Sequence, residues 1–231
     1  ILQRFWPGIQ PLPSVWYFIY IGSRDKSKGL KAVQELNTLG FTDVDVLEID
    51  VTNLQSVEKA KEELQSKISQ LDVLVNNAGI GGMMPQQASI VSLDNIRTVY
   101  ETNFFGVIQV TQHFLDLLKK ADEPRIVNVS SDLGSLTNHS NPDYQFYEVK
   151  LMAYCSSKTA LNSFTVMLAY EFKDTNFKIN SVNPGFTATD LNGFTGVQTA
   201  EQAAKVIVTY ATLDKDGPTG KFFSEDMEVA W

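Results

Sequence analysis

Apolar and polar positions alternate in short blocks along the chain. Residues 15–21 (VWYFIYI) form a continuous β-branched and aromatic run, as expected of a strand buried on both faces. The run ends in Gly22-Ser23-Arg24-Asp25. The mixed stretch 26–39 then reads as a helix closed by Gly40, a good C-terminal stop. The block 44–49 reads as the next strand and ends at Asp50, after which Thr52 or Asn53 can cap a helix reaching about residue 70. A third strand over 71–75 runs directly into Asn76-Asn77-Ala78-Gly79. A long helical region over 93–120 contains Asn103, and a strand over 125–129 ends in Ser130-Ser131. A helix around Tyr154 comes next, then a strand over 177–182 ending in Asn183-Pro184-Gly185. A helix over 200–212 and a short strand near 221–223 complete the pattern.

Strand alternates with helix throughout, which implies an α/β fold: a parallel sheet with helices on both faces and right-handed crossovers. Arg24, Asp50, Asn77 to Gly79, Ser131, Pro184 and Gly185 all fall just past the carboxyl ends of strands, where such sheets bind ligands. Five strand ends supplying one rim are more specific than any single motif.

Composition narrows the class. A chain of 231 residues suits a single domain over 1–231, and 43% hydrophobic content is that of a soluble globular protein. A net charge of −8 argues against nucleic acid as partner. The single cysteine, Cys155, excludes an internal disulfide and fits a reducing, cytoplasmic compartment. The longest apolar run, 15–21, is too short to span a bilayer, and no secretory signal is visible. His113, His139 and Cys155 lack metal-ligand spacing, so no metal is expected. Without a G-x-S-x-G, a Ser–His–Asp hydrolase has little support.

The candidate chemistry centres on Tyr154 and Lys158. Four residues apart on a helix, they share one face. At ~5 Å and an effective dielectric of ~20, the ammonium would favour phenolate by roughly 3 kcal/mol, or about 2 pKa units. That shift brings a phenol towards use as a proton donor near neutral pH.

Asn76-Asn77-Ala78-Gly79, Asn103, Ser131, Tyr154-x-x-x-Lys158 and Pro184-Gly185 stand in the order found in short-chain dehydrogenases/reductases. Over residues 20–231 the chain resembles that family, its carbonyl-reductase-like branch most of all. The resemblance implies a Rossmann-type doubly wound parallel sheet in three α/β/α layers. It also implies an NADP-dependent oxidoreductase that reduces a small-molecule ketone or aldehyde to an alcohol. By the same resemblance Tyr154 gives the proton, and Lys158 lowers its pKa and binds the nicotinamide ribose. Ser131 holds the substrate oxygen, with Ser130 its rival, and Asn103 holds a water near the lysine. Asn77, Ala78 and Gly79 lie along the cofactor, Asp50 and Val51 contact adenine, and Pro184, Gly185, Thr187 and Thr189 hold the carboxamide. Ser23 and Arg24 stand where the 2′-position is read: a 2′-phosphate needs a cation, so Arg24 favours NADP over NAD, although Asp25 is one position late for the NAD pattern. The apolar loop 191–196 resembles the family's substrate lid.

Two departures accompany the resemblance. Residues 1–14 (ILQRFWPGIQPLPS) lack the family's first strand and its T-G-x-x-x-G-x-G phosphate loop, and Pro11 and Pro13 fall where the first helix would run. Two readings stay open: an enzyme whose sequence is a fragment or starts in a wrong frame, or a non-catalytic Rossmann-like binding protein. The second departure is the segment between Ser131 and Tyr154, longer than in most of the family. Its first half around residue 138 reads as a loop and its aromatic second half should pack down. In the carbonyl-reductase-like branch such an insertion covers the pairing face, which implies a monomer.

Overall fold

The computed structural model describes residues 17–225 and 227–231; the expectation for 1–14 lies outside them. Seven strands and seven α-helices follow one another in it: β1 (Ile19–Ser23), α1 (Lys26–Thr38), β2 (Val44–Glu48), α2 (Leu54–Lys67), β3 (Val73–Asn76), α3 (Leu93–Tyr100), α4 (Gly106–Leu118), β4 (Arg125–Val129), α5 (Leu136–Ser140), α6 (Met152–Glu171), β5 (Lys178–Asn183), α7 (Ala200–Ala211), β6 (Phe222–Ser224) and β7 (Met227–Glu228).

Local chemistry sets the helix ends. Asp25 caps α1, its Oδ1 accepting from the Ser27 amide at 2.9 Å and the Lys28 amide at 3.2 Å, and Gly40 follows the helix at φ +92°. Of the two candidate caps for α2, Asn53 serves, while Thr52 bonds the Asp50 carboxylate. The expected long helix over 93–120 is interrupted: five residues, Glu101–Phe105, form a π-turn between α3 and α4, and Asn103 sits in it. Such turns widen the helix by one residue and re-aim its side chains.

The strands form two hydrogen-bonded groups, β1-β2 and β3-β4-β5-β6-β7, parallel throughout except for β7. If β1 is counted as the second strand of the order 3-2-1-4-5-6, the break falls where the first strand stands. The core nevertheless runs across it. Leu47, Val57, Leu64, Leu74, Phe114, Leu118, Ile126, Leu168 and Ile179 form one cluster that joins β2 to β5 through α2, α4 and α6. The opposite face is covered by α7 on Val75, Val127 and Val182, and by α1 on Ile21 and Val44. Helices on both faces make three layers. Of the first strand read over 15–21, residues 15 and 16 lie outside the described residues; among the described ones the strand runs Ile19–Ser23 and buries only Ile21. Tyr17 and Phe18 are 40% and 54% exposed. β1 has one strand neighbour, β2, so its edge facing the break carries no paired strand among the described residues.

Candidate active site

The carboxyl ends of β1 to β5 open on one rim. At its centre, Tyr154 and Lys158 lie on the first turns of α6. Lys158 is 4% exposed; its Nζ donates to the Val129 carbonyl at 2.7 Å and lies 5.9 Å from the Tyr154 ring centre. Asn103 is fully buried and holds Ile80 at both ends of its peptide, accepting from the amide at 2.9 Å and donating to the carbonyl at 3.0 Å. Gly79 joins these groups, since a Cβ there would stand 3.5 Å from both Asn103 Oδ1 and Lys158 Nζ. A side chain would fill that space, as expected where backbone must approach a flat cofactor ring.

Ser131 follows β4, half-buried, its hydroxyl bonded to Tyr154 and 3.4 Å from Asp132 Oδ1. Ser130 is buried and turns instead to the Lys158 carbonyl at 3.5 Å. Electrostatically the pair differs from expectation. Burial pushes the Tyr154 phenol up to about 12, with only the Ser131 hydroxyl pulling it down, and burial brings Lys158 down to about 8. Desolvation of both groups outweighs the attraction expected from their spacing, because the lysine head is drawn to Val129 rather than to the phenol oxygen.

The remaining predicted positions surround this centre. Val51, Asn77 and Ala78 line a small open cleft with Val75, Gly106 and Val107. Asp50, just before Val51, closes a turn, its Oδ1 accepting from the Thr52 amide at 3.0 Å. At the end of β1 Arg24 is exposed, and Ser23 Oγ donates to the Asp25 carbonyl at 2.8 Å. The Asp25 carboxylate next door is committed to capping α1. Beyond β5, Gly185 turns at φ +76°, where a Cβ would stand 2.5 Å from Gln198 Oε1. Thr187 Oγ1 donates back to the Pro184 and Gly185 carbonyls at 3.3 and 3.2 Å, and Thr189 opens the 3₁₀ turn Asp190–Asn192. The insertion contributes Phe146, which meets Phe186 of this loop edge-on at 6.4 Å. Its first half is partly helical, since Ser135 caps α5.

Three supporting residues carried no readable signal. Ser157 accepts from Asn103 Nδ2 at 3.0 Å and donates to the Tyr154 carbonyl at 2.7 Å. Gln86, 2% exposed, bonds the start of α6. Gly134 packs under Lys158, where a Cβ would come within 2.9 Å of its backbone. Each acts through a partner distant in sequence, which no local spacing encodes.

The parallel α/β sheet, whose rim gathers a buried lysine, a tyrosine one turn before it and a close-approach glycine, agrees with the resemblance read from the sequence. A family profile described as short chain dehydrogenase matches residues 17–200. The chain is 33% identical to a (+)-neomenthol dehydrogenase of Arabidopsis thaliana, over 89% of this chain and 87% of that protein. It is 28% identical to a salutaridine reductase of Papaver bracteatum, over 92% and 88%. Among solved structures, the NADPH-bound carbonyl reductase from chicken fatty liver superposes with a TM-score of 0.79 at 26% identity, covering 95% of this chain and 90% of that one. This protein therefore belongs to the short-chain dehydrogenase/reductase family, an NAD(P)-dependent class of oxidoreductases. Among the described residues no helix is long and apolar enough to cross a membrane.

Proposed function

We propose that this chain is an NADPH-dependent carbonyl reductase acting on apolar ketones or aldehydes. The observation that carries the reading is the convergence of Tyr154, Ser131, Lys158, Asn103 and Gly79 on one space at the rim. The residues fit a nicotinamide cofactor: Gly79 leaves room beside the Lys158 ammonium, and Val51, Asn77 and Ala78 line the cleft for adenine. When bound, the reduced nicotinamide supplies hydride to the carbonyl carbon. Tyr154 gives its proton to the carbonyl oxygen, which Ser131 holds as charge builds on it. Lys158 bonds the ribose with a head whose pKa near 8 keeps it charged at neutral pH. Asn103 holds Ile80, and so Gly79, in place. Pro184, Gly185, Thr187 and Thr189 bind the carboxamide.

Arg24 reads the 2′-phosphate. It is exposed at the right strand end, and the neighbouring acid is already bonded to α1. Exposed Phe186, Leu191 and Phe194 make the substrate side apolar. The protein works in the cytoplasm as a monomer, which light scattering would record as one 25.8 kDa species; a stable tetramer would contradict it.

The test compares NADPH- and NADH-driven reduction of apolar ketones by wild type and Arg24→Ala. A charge-assisted bond worth ~1.5–3 kcal/mol raises the KM for NADPH roughly 10- to 150-fold in the variant and leaves that for NADH nearly unchanged. Equal effects on both cofactors would refute the role of Arg24, and no reduction by the wild type with either would refute the enzyme reading.

A further inference from the structure

Helix α6 carries Tyr154 at its third position, and at its N-cap stands Leu151, whose side chain supplies no cap. The first-turn amides of a helix need acceptors from elsewhere. Gln86 supplies two. Its backbone carbonyl accepts from the Met152 amide at 3.0 Å, and its side-chain Oε1 accepts from the Tyr154 amide at 3.2 Å. The other end of the same carboxamide donates to the Gly81 carbonyl at 2.8 Å. Reversing the amide would set two donors against each other at Tyr154, so this orientation is fixed by its partners. Gln86 is 2% exposed, and Gly82 lies directly against it: a Cβ there would stand 3.4 Å from Nε2.

Gly81 is two residues beyond Gly79, and Ile80 between them is bonded at both ends to Asn103. Ser157, bonded to the same Asn103, accepts that amide and donates to the Tyr154 carbonyl. The main chain of Tyr154 is thus held at its amide by Gln86 and at its carbonyl by Ser157, and both ties lead to the segment 79–81.

We propose that Gln86 is a positioning residue that sets the phenol of Tyr154 at its working distance from the cofactor-facing strand end of β3. The proposal rests on the reading of Tyr154 as proton donor. It distinguishes Gln86 from a simple helix cap, because a cap could be replaced from position 151 while the tie to Gly81 could not.

The experiment uses Gln86→Met, which keeps the bulk and removes both side-chain bonds, and the double variant Gln86→Met/Leu151→Ser, which restores an acceptor for the Tyr154 amide. For Gln86→Met, kcat falls on the order of 10- to 100-fold, as a misplacement of about 1 Å would cause, while the KM for NADPH stays within about twofold. Tm falls by about 4 °C. Leu151→Ser recovers the Tm but not kcat. Recovery of both would reduce Gln86 to a cap and overturn the proposal, as would unchanged kcat in the single variant. Hydrogen exchange at the Tyr154 amide gives an answer independent of turnover: exchange is faster in Gln86→Met, and unchanged protection overturns the proposal. Tyr154→Phe, assayed alongside, separates the two readings. If it retains full turnover the role of Tyr154 fails, and if it is inactive while Gln86→Met is normal, only the positioning role fails.

Discussion

Lys158 holds its ammonium in a site 4% exposed, and burial lowers its pKa from 10.5 to about 8. The folded chain therefore releases this proton more readily than the unfolded chain. Between pH 8 and 10.5 the unfolded state holds more protons, so stability from this group rises with pH across that window. Below pH 8 the penalty is fully present, on the order of 3 kcal/mol. Lys158→Met removes the titrating group. Its stability relative to wild type is expected to be greatest near pH 7 and to shrink by up to about 3 kcal/mol by pH 10.5, followed by urea unfolding. A difference that does not vary with pH would contradict the lowered pKa. Tyr154, raised to about 12, weakens the fold only above pH 10, and it is common to both proteins.

At the scale of elements, the site depends on how closely the 3₁₀ turn Asp132–Gly134 seats on α6. Gly134 touches the Lys158 main chain, and its carbonyl accepts from Thr159 Oγ1 at 2.9 Å. Gly134→Ala forces the turn off the helix and carries Ser131 away from Tyr154. Overpacking of this kind costs about 1–3 kcal/mol. Stability should drop by that amount, with a fall in kcat larger than any change in cofactor KM; an unchanged kcat would show that the contact does not set the serine. The elements themselves were largely legible, because α6, β4 and the rim residues announce themselves by spacing and by strand-end position. What was not legible depends on long-range packing. The π-turn at Asn103 interrupts a stretch whose pattern is continuously helical, and α5 rests on a Ser135 cap inside what reads as loop. The apolar run at 15–21 suggested a doubly buried strand, but burial of β1 depends on neighbours that its own sequence does not specify. The Tyr154 phenol moved opposite to the expectation from spacing, since spacing gives proximity and says nothing of desolvation.

For the whole molecule, two features keep the rim in register. The cluster around Phe114 and Leu118 carries one core from β2 to β5 although the strands form two hydrogen-bonded groups. At the opposite end of the sheet, Arg125 is 3% exposed and ties β4 to two loops, its Nε donating to the Leu213 carbonyl at 2.9 Å and its guanidinium to the Asn176 carbonyl at 3.3 Å. Both features hold the carboxyl ends of β4 and β5, beyond which Ser131 and Pro184 follow. The chemistry proposed for the space beside Tyr154 is reduction of a carbonyl with that tyrosine as proton donor. The most direct measurement is single-turnover reduction of an apolar ketone by NADPH in wild type and Tyr154→Phe, with NADPH affinity measured by fluorescence on the same samples. On that chemistry, nearly equal affinities are expected, with a rate at least ~100-fold lower in the variant. A variant that binds NADPH normally and reduces the ketone at the wild-type rate would contradict it.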